Sequence, residues 1–99
     1  MTLYVVSKAR FDDQGEVTMV EWGQVTEPGT RFVGEQQVVP VDRVVEALDR
    51  GDNVEIRFHS ASGWLSGGPL VKKVLASGAE NIKTERQDEG QQVTDLPTF

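Results

Sequence analysis

Residues 40–51 alternate between apolar and charged positions in the pattern of one amphipathic α-helix. Four apolar side chains recur at intervals of three and four residues, so they share one helical stripe: Val41, Val44, Val45 and Leu48. Pro40 suits the first helical position, because the N–H that it lacks would have no partner inside the helix. Gly51 can adopt the left-handed conformation that ends a helix. These signals predict a helix over residues 41–50.

Two runs near the start of the chain alternate with a period of two, which is typical of β-strands. Residues 3–11 and 16–25 flank the turn-forming run 12–15, so they predict an antiparallel hairpin. The alternation divides the first strand into two faces, with Leu3, Val5, Ala9 and Phe11 on one and Tyr4, Val6, Lys8 and Arg10 on the other.

The middle of the chain predicts two further strands. Residues 31–39 are apolar near both ends and contain Gly34, which indicates an edge strand or a bulged one. After the helix, Val54, Ile56 and Phe58 alternate with polar residues, the last of which is His59. We therefore expect an edge strand before the helix and a regular strand after it.

The second half of the chain is less regular. Residues 63–69 are rich in glycine and predict a flexible connector. Residues 70–76 fit a helix that begins after Pro69 and ends before Gly78. They also fit a strand that would pair with residues 82–84 across a Ser-Gly turn, and both alternatives stay open at this point.

These elements predict an α+β fold in a single small domain, residues 1–85. Its mainly antiparallel sheet would have four to five strands, with the helix at 41–50 packed on one face and a second short helix or a strand at 70–76. The chain has 99 residues, 37% of them hydrophobic, which is enough for one small core. Residues 86–99 should form a flexible polar tail with an apolar end. That end would dock on the domain, bind a partner or stay unattached, and docking is the preferred interpretation.

Composition narrows the classes of partner. The formal net charge is −6 and the ten Lys and Arg residues are scattered, so nucleic acid is an unlikely ligand. The chain has no cysteine, which excludes disulfides and thiolate metal ligands. It has no apolar run of about 18 residues and no signal-peptide pattern at its start. We expect a cytoplasmic protein that binds no membrane.

Candidate chemistry in the sequence is sparse. His59 has serines nearby, but they are not in the Gly-x-Ser-x-Gly turn that exposes a nucleophile. Gly63 and Gly68 have the spacing of a phosphate-binding loop, but Pro69 stands where that motif requires lysine. We predict no catalytic residue, no cofactor and no metal site, and hence no enzyme.

Four short segments together point to a family. They are the strand Tyr4-Val5-Val6 with the Asp/Gly turn that follows it, residues 44–51, residues 78–84, and the ending from Asp95 to Phe99, whose Leu-Pro-Thr-Phe is the most specific. In these features, which cover most of the chain, it resembles the small bacterial proteins of domain of unknown function family 3892. The resemblance implies a strand at 70–76. It implies no catalytic residue, because that family has no assigned function.

The leading hypothesis is a non-enzymatic protein-interaction module that binds an unidentified protein partner. Tryptophan is enriched at binding hot spots, and Trp64 lies among glycines and serines, whereas Trp22 is expected in the core. The possible partner-binding residues are Trp64, Leu96, Pro97 and Phe99. An edge strand at 31–39 would leave a sheet edge free, so we expect a monomer or a weak homodimer.

The alternative hypothesis is a nucleic-acid-contacting domain that uses a basic face of the sheet. That face would carry Lys8, Arg10 and Arg57, with Tyr4 on the same side as the first two. Single-stranded nucleic acids bind where basic and aromatic side chains are interleaved in this way.

Overall fold

In the computed structural model of the protein, a six-stranded sheet carries one α-helix across one of its faces. The structure describes residues 3–26, 32–60, 63–86 and 93–99, without the side chains at 59, 60, 63–66 and 94. Within these ranges the elements in chain order are β1 (Leu3–Phe11), β2 (Val17–Val25), β3 (Gln37–Pro40), α1 (Val41–Asp49), β4 (Asn53–Ser60), β5 (Gly63–Val74), β6 (Glu80–Thr84) and a 3₁₀ turn (Val93–Asp95).

The strands lie in the order β3-β2-β1-β4-β5-β6. Every neighbouring pair is antiparallel except β1 and β4, which run parallel where residues 3–6 lie beside residues 53–56. A parallel pair needs a crossover, and α1 supplies its last part. The α+β class, the mostly antiparallel sheet and the single helix of the described chain agree with the prediction. The sheet has one or two strands more than predicted.

The helix forms where its apolar stripe predicted it. Pro40 is extended and immediately precedes the helix, with φ −67° and ψ 155°, so the first helical residue is Val41 and not the proline. Gly51 has φ +88°, and the N–H groups of Gly51 and Asp52 donate to carbonyls of the last helical turn. This is the Schellman arrangement, which only a residue tolerant of positive φ closes without strain.

The core lies between α1 and one face of the sheet, which we call the helix face. It joins the buried valines of α1 to apolar residues from five strands and the C-terminal segment, among them Val6, Val20, Trp22, Ile56, Leu70, Ile82 and Leu96. Full burial of a side chain of this size stabilises the fold by about 1.5–3 kcal/mol. A single continuous cluster of this kind is what a chain of 99 residues can support.

A β-bulge in β1 changes which side chains share a face. Val6 and Lys8 pair with consecutive residues of β2, so Ser7 is an extra residue without a partner in the register. Before the bulge Tyr4 and Val6 lie on the helix face; after it, Ala9 does. The predicted division of β1 into two faces is therefore wrong beyond Ser7, because one inserted residue reverses a period of two.

The opposite face of the sheet, the outer face, is partly covered by residues 32–36. A Cβ at Gly23 would lie 2.7 Å from the ring of Phe32 and 3.2 Å from the side chain of Gln36, so the segment packs directly on the glycine backbone. The hydroxyl of Ser7 donates to Gln36 Oε1 at 2.8 Å. Val5 is fully buried beside them. The bulged residue thus anchors the segment that leads into β3.

Residues 63–69 form the first half of β5, so the prediction of a flexible connector is wrong. They pair with β4, with one register shift at Ile56 and Arg57 that leaves Gly67 as the extra residue. Glycine-rich sequence has low intrinsic preference for a strand. Pairing with residues 55–60 of β4 supplies the hydrogen bonds that overcome this preference, and the glycines allow the strand to bend.

Residues 70–74 are a strand, which decides between the two predicted alternatives. They pair with β6 from Leu70 opposite Thr84 to Val74 opposite Glu80, and a tight turn at residues 75–79 joins the two strands. The apolar residues here are spaced as in a helix, but the segment forms a strand instead. In that strand Leu70 is buried in the core, and Lys72 and Val74 are exposed.

The C-terminal residues 93–99 lie against the sheet. Beyond Val6, β1 no longer pairs with β4, and Ala9 N–H donates instead to the carbonyl of Pro97 at 3.0 Å. Val93 and Leu96 are buried in the core beside this contact. The end of the predicted tail is thus packed as part of the domain; residues 87–92 lie outside the described residues.

Candidate functional site

Of the four residues singled out for partner binding, three belong to the C-terminal segment. Leu96 is only 4% exposed, so in this conformation it has almost no surface to offer a partner. Pro97 is exposed but its carbonyl is bonded to β1, and the ring of Phe99 lies under the Arg10 guanidinium. Trp64 lies opposite His59 in the β4–β5 register, and both side chains are outside the described residues.

The basic residues of the alternative hypothesis are all engaged within the chain. Lys8 Nζ lies 3.8 Å from Glu21, and Arg57 Nη2 lies 2.7 Å from Glu55. Because of the bulge at Ser7, Tyr4 lies on the helix face, away from Lys8. The structure therefore does not place Tyr4 among these basic side chains, and the aromatic ring beside Arg10 is that of Phe99.

A different aromatic pair forms the most distinctive surface of the described chain. The rings of Tyr4 and Trp22 stack with centroids 4.2 Å apart and planes inclined by 13°. They are diagonal neighbours on the helix face, since Val6 pairs with Trp22. Their exposed edges form the floor of a groove of about 510 Å³, within the range of about 300–1,000 Å³ that ligand sites occupy. We call it the aromatic groove.

The two walls of the aromatic groove come from adjoining elements. One wall is β3, residues 37–40, and the other is the side of α1 that carries Arg43, Glu46 and Arg50. Positions separated by three, four and seven residues lie on one side of a helix, so these three side chains line the groove in a row. Arg43 lies 4.0 Å from Glu46, and Arg50 lies 3.1 Å from Asp52.

The strand β3 ends the sheet. No strand of the described residues lies beyond it, so one side of its main chain is available for pairing. Val38 in β3 and Val33 in the segment before it are each 51% exposed. Val33 and Glu35 border a second depression of about 220 Å³ that opens on the same two rings. Edge strands that display apolar side chains are unusual, because they invite pairing with another chain.

The other side of α1 borders an acidic groove. Its lining includes Asp42, Glu46, Asp49 and Glu80 around the β5–β6 turn. Lys72 Nζ lies 2.8 Å from Asp49 and 2.6 Å from Glu80, and these carboxylates, Asp49 foremost, raise the pKa of Lys72 well above its usual value. The lysine therefore links the helix to the terminal hairpin and pairs with two of the carboxylates that line the groove.

Sequence reasoning missed the aromatic groove for a specific reason. It assigned Trp22 to the core, where the ring is indeed 8% exposed, and grouped Tyr4 with Lys8 and Arg10, from which the bulge at Ser7 separates it. The stacking partner of Tyr4 is set by the hairpin register, which the bulge shifts.

Two further properties of the described chain bear on chemistry. Across residues 3–26, 32–60, 63–86 and 93–99, no three His, Cys, Asp or Glu residues are placed to hold a metal ion together. In the same ranges, no helix combines the length and the apolarity that crossing a membrane requires.

The chain was compared with protein-family models, curated proteins and solved structures, and no match was found. The resemblance to domain of unknown function family 3892 therefore stays a prediction.

Proposed function

We propose that this protein is a non-enzymatic protein-interaction module that binds a partner along the free edge of β3. The observation that carries the proposal is the half-exposed Val38 on an edge strand that also forms a wall of the aromatic groove. An added strand would gain main-chain hydrogen bonds from the edge, and its alternate side chains would reach the groove. Membership in domain of unknown function family 3892 belongs to the same proposal.

The composition of the groove supports a protein ligand. Aromatic and arginine side chains are enriched at protein interfaces, and here Tyr4 and Trp22 lie below Arg43 and Arg50. The groove has one carboxylate, Glu46, among its lining residues, so it can form ion pairs of either sign with a partner. Lys8 and Arg57 already form ion pairs within the chain, which favours a protein partner over nucleic acid.

Site-specific photo-crosslinking in the producing cells tests the proposal. Benzoylphenylalanine replaces Val38 in one variant and Val74, which is 70% exposed on β5, in the control. Position 38 should give a discrete protein adduct and position 74 should not, because only position 38 lies in the proposed contact. Tyr4→Ser, which removes a ring from the groove floor, should weaken the adduct at position 38.

The outcome that contradicts the proposal is equally definite. Equal adducts at positions 38 and 74 would show non-specific contact, and no adduct at position 38 would show that the edge of β3 has no partner. The mass of a specific adduct separates a second copy of this chain from another protein.

A further inference from the structure

We propose that the partner of β3 is a second copy of this chain, joined antiparallel across a two-fold axis that passes close to Val38. This inference rests on the proposed function, since it uses the same strand edge. It is carried by two properties of that edge, its exposed apolar residues and its charge arrangement, whereas its short length limits the strength of the dimer.

A two-fold axis at Val38 brings like residues together. In such an antiparallel pair Gln37 of one copy lies opposite Val39 of the other, and the two Val38 side chains lie side by side on the outer face. A residue that is 51% exposed in one chain would then be covered by its own counterpart. The two six-stranded sheets would become one continuous sheet, and neither copy would retain a free β3 edge.

The charges near this edge are self-complementary under the same symmetry. Glu35 lies just before β3, and Arg43 lies in the first turn of α1, just after it. Antiparallel pairing at Val38 brings Glu35 of one copy level with Val41 of the other, within reach of the long side chain of Arg43. The contact forms twice, as a two-fold axis requires.

Glu35 and Arg43 are both exposed and can form this ion pair. Within the described residues Glu35 has no ion pair, and its side chain is exposed. Arg43 is 65% exposed and its one described carboxylate neighbour, Glu46, is at the 4.0 Å limit of an ion pair. Arg43 lies on the groove side of α1, whereas Asp42 lines the other side, so the carboxylate that Glu35 would meet beside Arg43 is Glu46 and not Asp42.

The length of β3 limits the strength of the dimer. The strand has four residues and ends at Pro40, which cannot donate a main-chain hydrogen bond. Short edges and prolines are features that restrict pairing between sheets. We therefore expect a dissociation constant above about 1 μM, because interfaces of full standard size have dissociation constants of about that value or lower.

Sedimentation equilibrium of the purified full chain, from about 10 μM to about 1 mM, tests the inference. The wild-type chain should show a reversible monomer–dimer equilibrium. Val38→Lys should weaken it by about tenfold or more, because the two introduced ammonium groups would face each other across the axis. The matched control Val74→Lys should leave the equilibrium within about twofold of wild type, since such a surface change lies away from the interface.

A charge exchange tests the predicted register. Glu35→Arg and Arg43→Glu should each weaken the dimer by about fivefold, and the double variant should return to within about twofold of wild type, because the ion pair is restored with its signs reversed. Thermal unfolding of each variant at monomeric concentration controls for folding. Failure of the double variant to recover would overturn this register and the inference with it.

The inference and the proposed function can fail separately. A chain that stays monomeric at about 1 mM, the top of the range used, while position 38 still crosslinks to a different protein, overturns the dimer and leaves the interaction module standing. A dimer that Val38→Lys and Val74→Lys weaken equally overturns the inference as well. A monomer without any adduct at position 38 overturns both.

Discussion

The guanidinium of Arg10 lies over the ring of Phe99, 4.7 Å from its centroid, and its Nε donates to the main-chain oxygen of Phe99 at 2.9 Å. These two residues are 89 positions apart in the chain. Together with the bond from Ala9 to Pro97, the contact holds the C-terminal segment where β4 has left β1. The segment therefore gives β1 a main-chain hydrogen bond and adds Val93 and Leu96 to the core at that point.

The first prediction concerns this segment. Leu96→Ala should lower the free energy of unfolding by about 2–5 kcal/mol, because it removes a buried side chain and leaves a cavity. Thr98→Ala, at an exposed position two residues away, should change it by less than about 0.5 kcal/mol. Urea unfolding followed by tryptophan fluorescence measures both. Equal, small effects would mean that the segment contributes nothing to the core.

The second prediction concerns the buried Asn81. Its Nδ2 donates to the carbonyl of Val17 at 2.9 Å and so connects β6 to β2 across the interior. Asn81→Leu should cost about 1–3 kcal/mol, because the carbonyl loses its donor without access to water. The same urea experiment measures this loss, with the exposed Lys83→Ala as the control.

A charged replacement makes the same contact depend on pH. Asn81→Asp places a carboxylate against the Val17 carbonyl at neutral pH, whereas the protonated acid can donate a hydrogen bond to it. The variant should therefore lose less stability, relative to wild type, at pH 4 than at pH 7. An equal loss at both pH values would show that Asn81 does not donate to this carbonyl.

The third prediction concerns residues 32–36, which pack on the outer face of the sheet. Gly23→Ala introduces a Cβ 2.7 Å from the ring of Phe32, which must move. We expect a loss of about 1–3 kcal/mol from overpacking. Combining the change with Phe32→Ala should cost less than the sum of the two single effects, because the clash is then absent. Strict additivity would show that the ring does not pack on Gly23.

The fourth prediction concerns Lys72. Its pKa is raised by Asp49 first and by Glu80 second, so the stabilising contact is fully present below the ordinary lysine value and is lost only as the pH rises through the raised value. NMR titration of the Lys72 Cε resonance should therefore show no deprotonation up to about pH 10.5, the ordinary lysine value. Asp49→Asn and Glu80→Gln should each lower the titration midpoint. A midpoint that neither change moves would exclude the two ion pairs.

The sequence pattern predicted those elements that are held together by contacts between residues close in the chain. The 12–15 turn closes on itself, since Asp12 Oδ1 accepts the N–H groups of Gln14 and Glu16, and Gly15 has φ +80°. The helix carries its own stripe and its own terminating glycine. In such segments the pattern and the structure agree because neighbouring residues supply both the hydrogen bonds and the apolar face.

Contacts between distant residues decided the rest. Ser7 bulges and reverses the faces of β1, residues 63–69 pair as a strand despite their glycines, and Leu96 reaches the core from the far end of the chain. The aromatic groove depends on the same reversal, since it places Tyr4 beside Trp22. None of these features follows from local preference, because the free energy that selects each one comes from burial and pairing with residues far along the sequence.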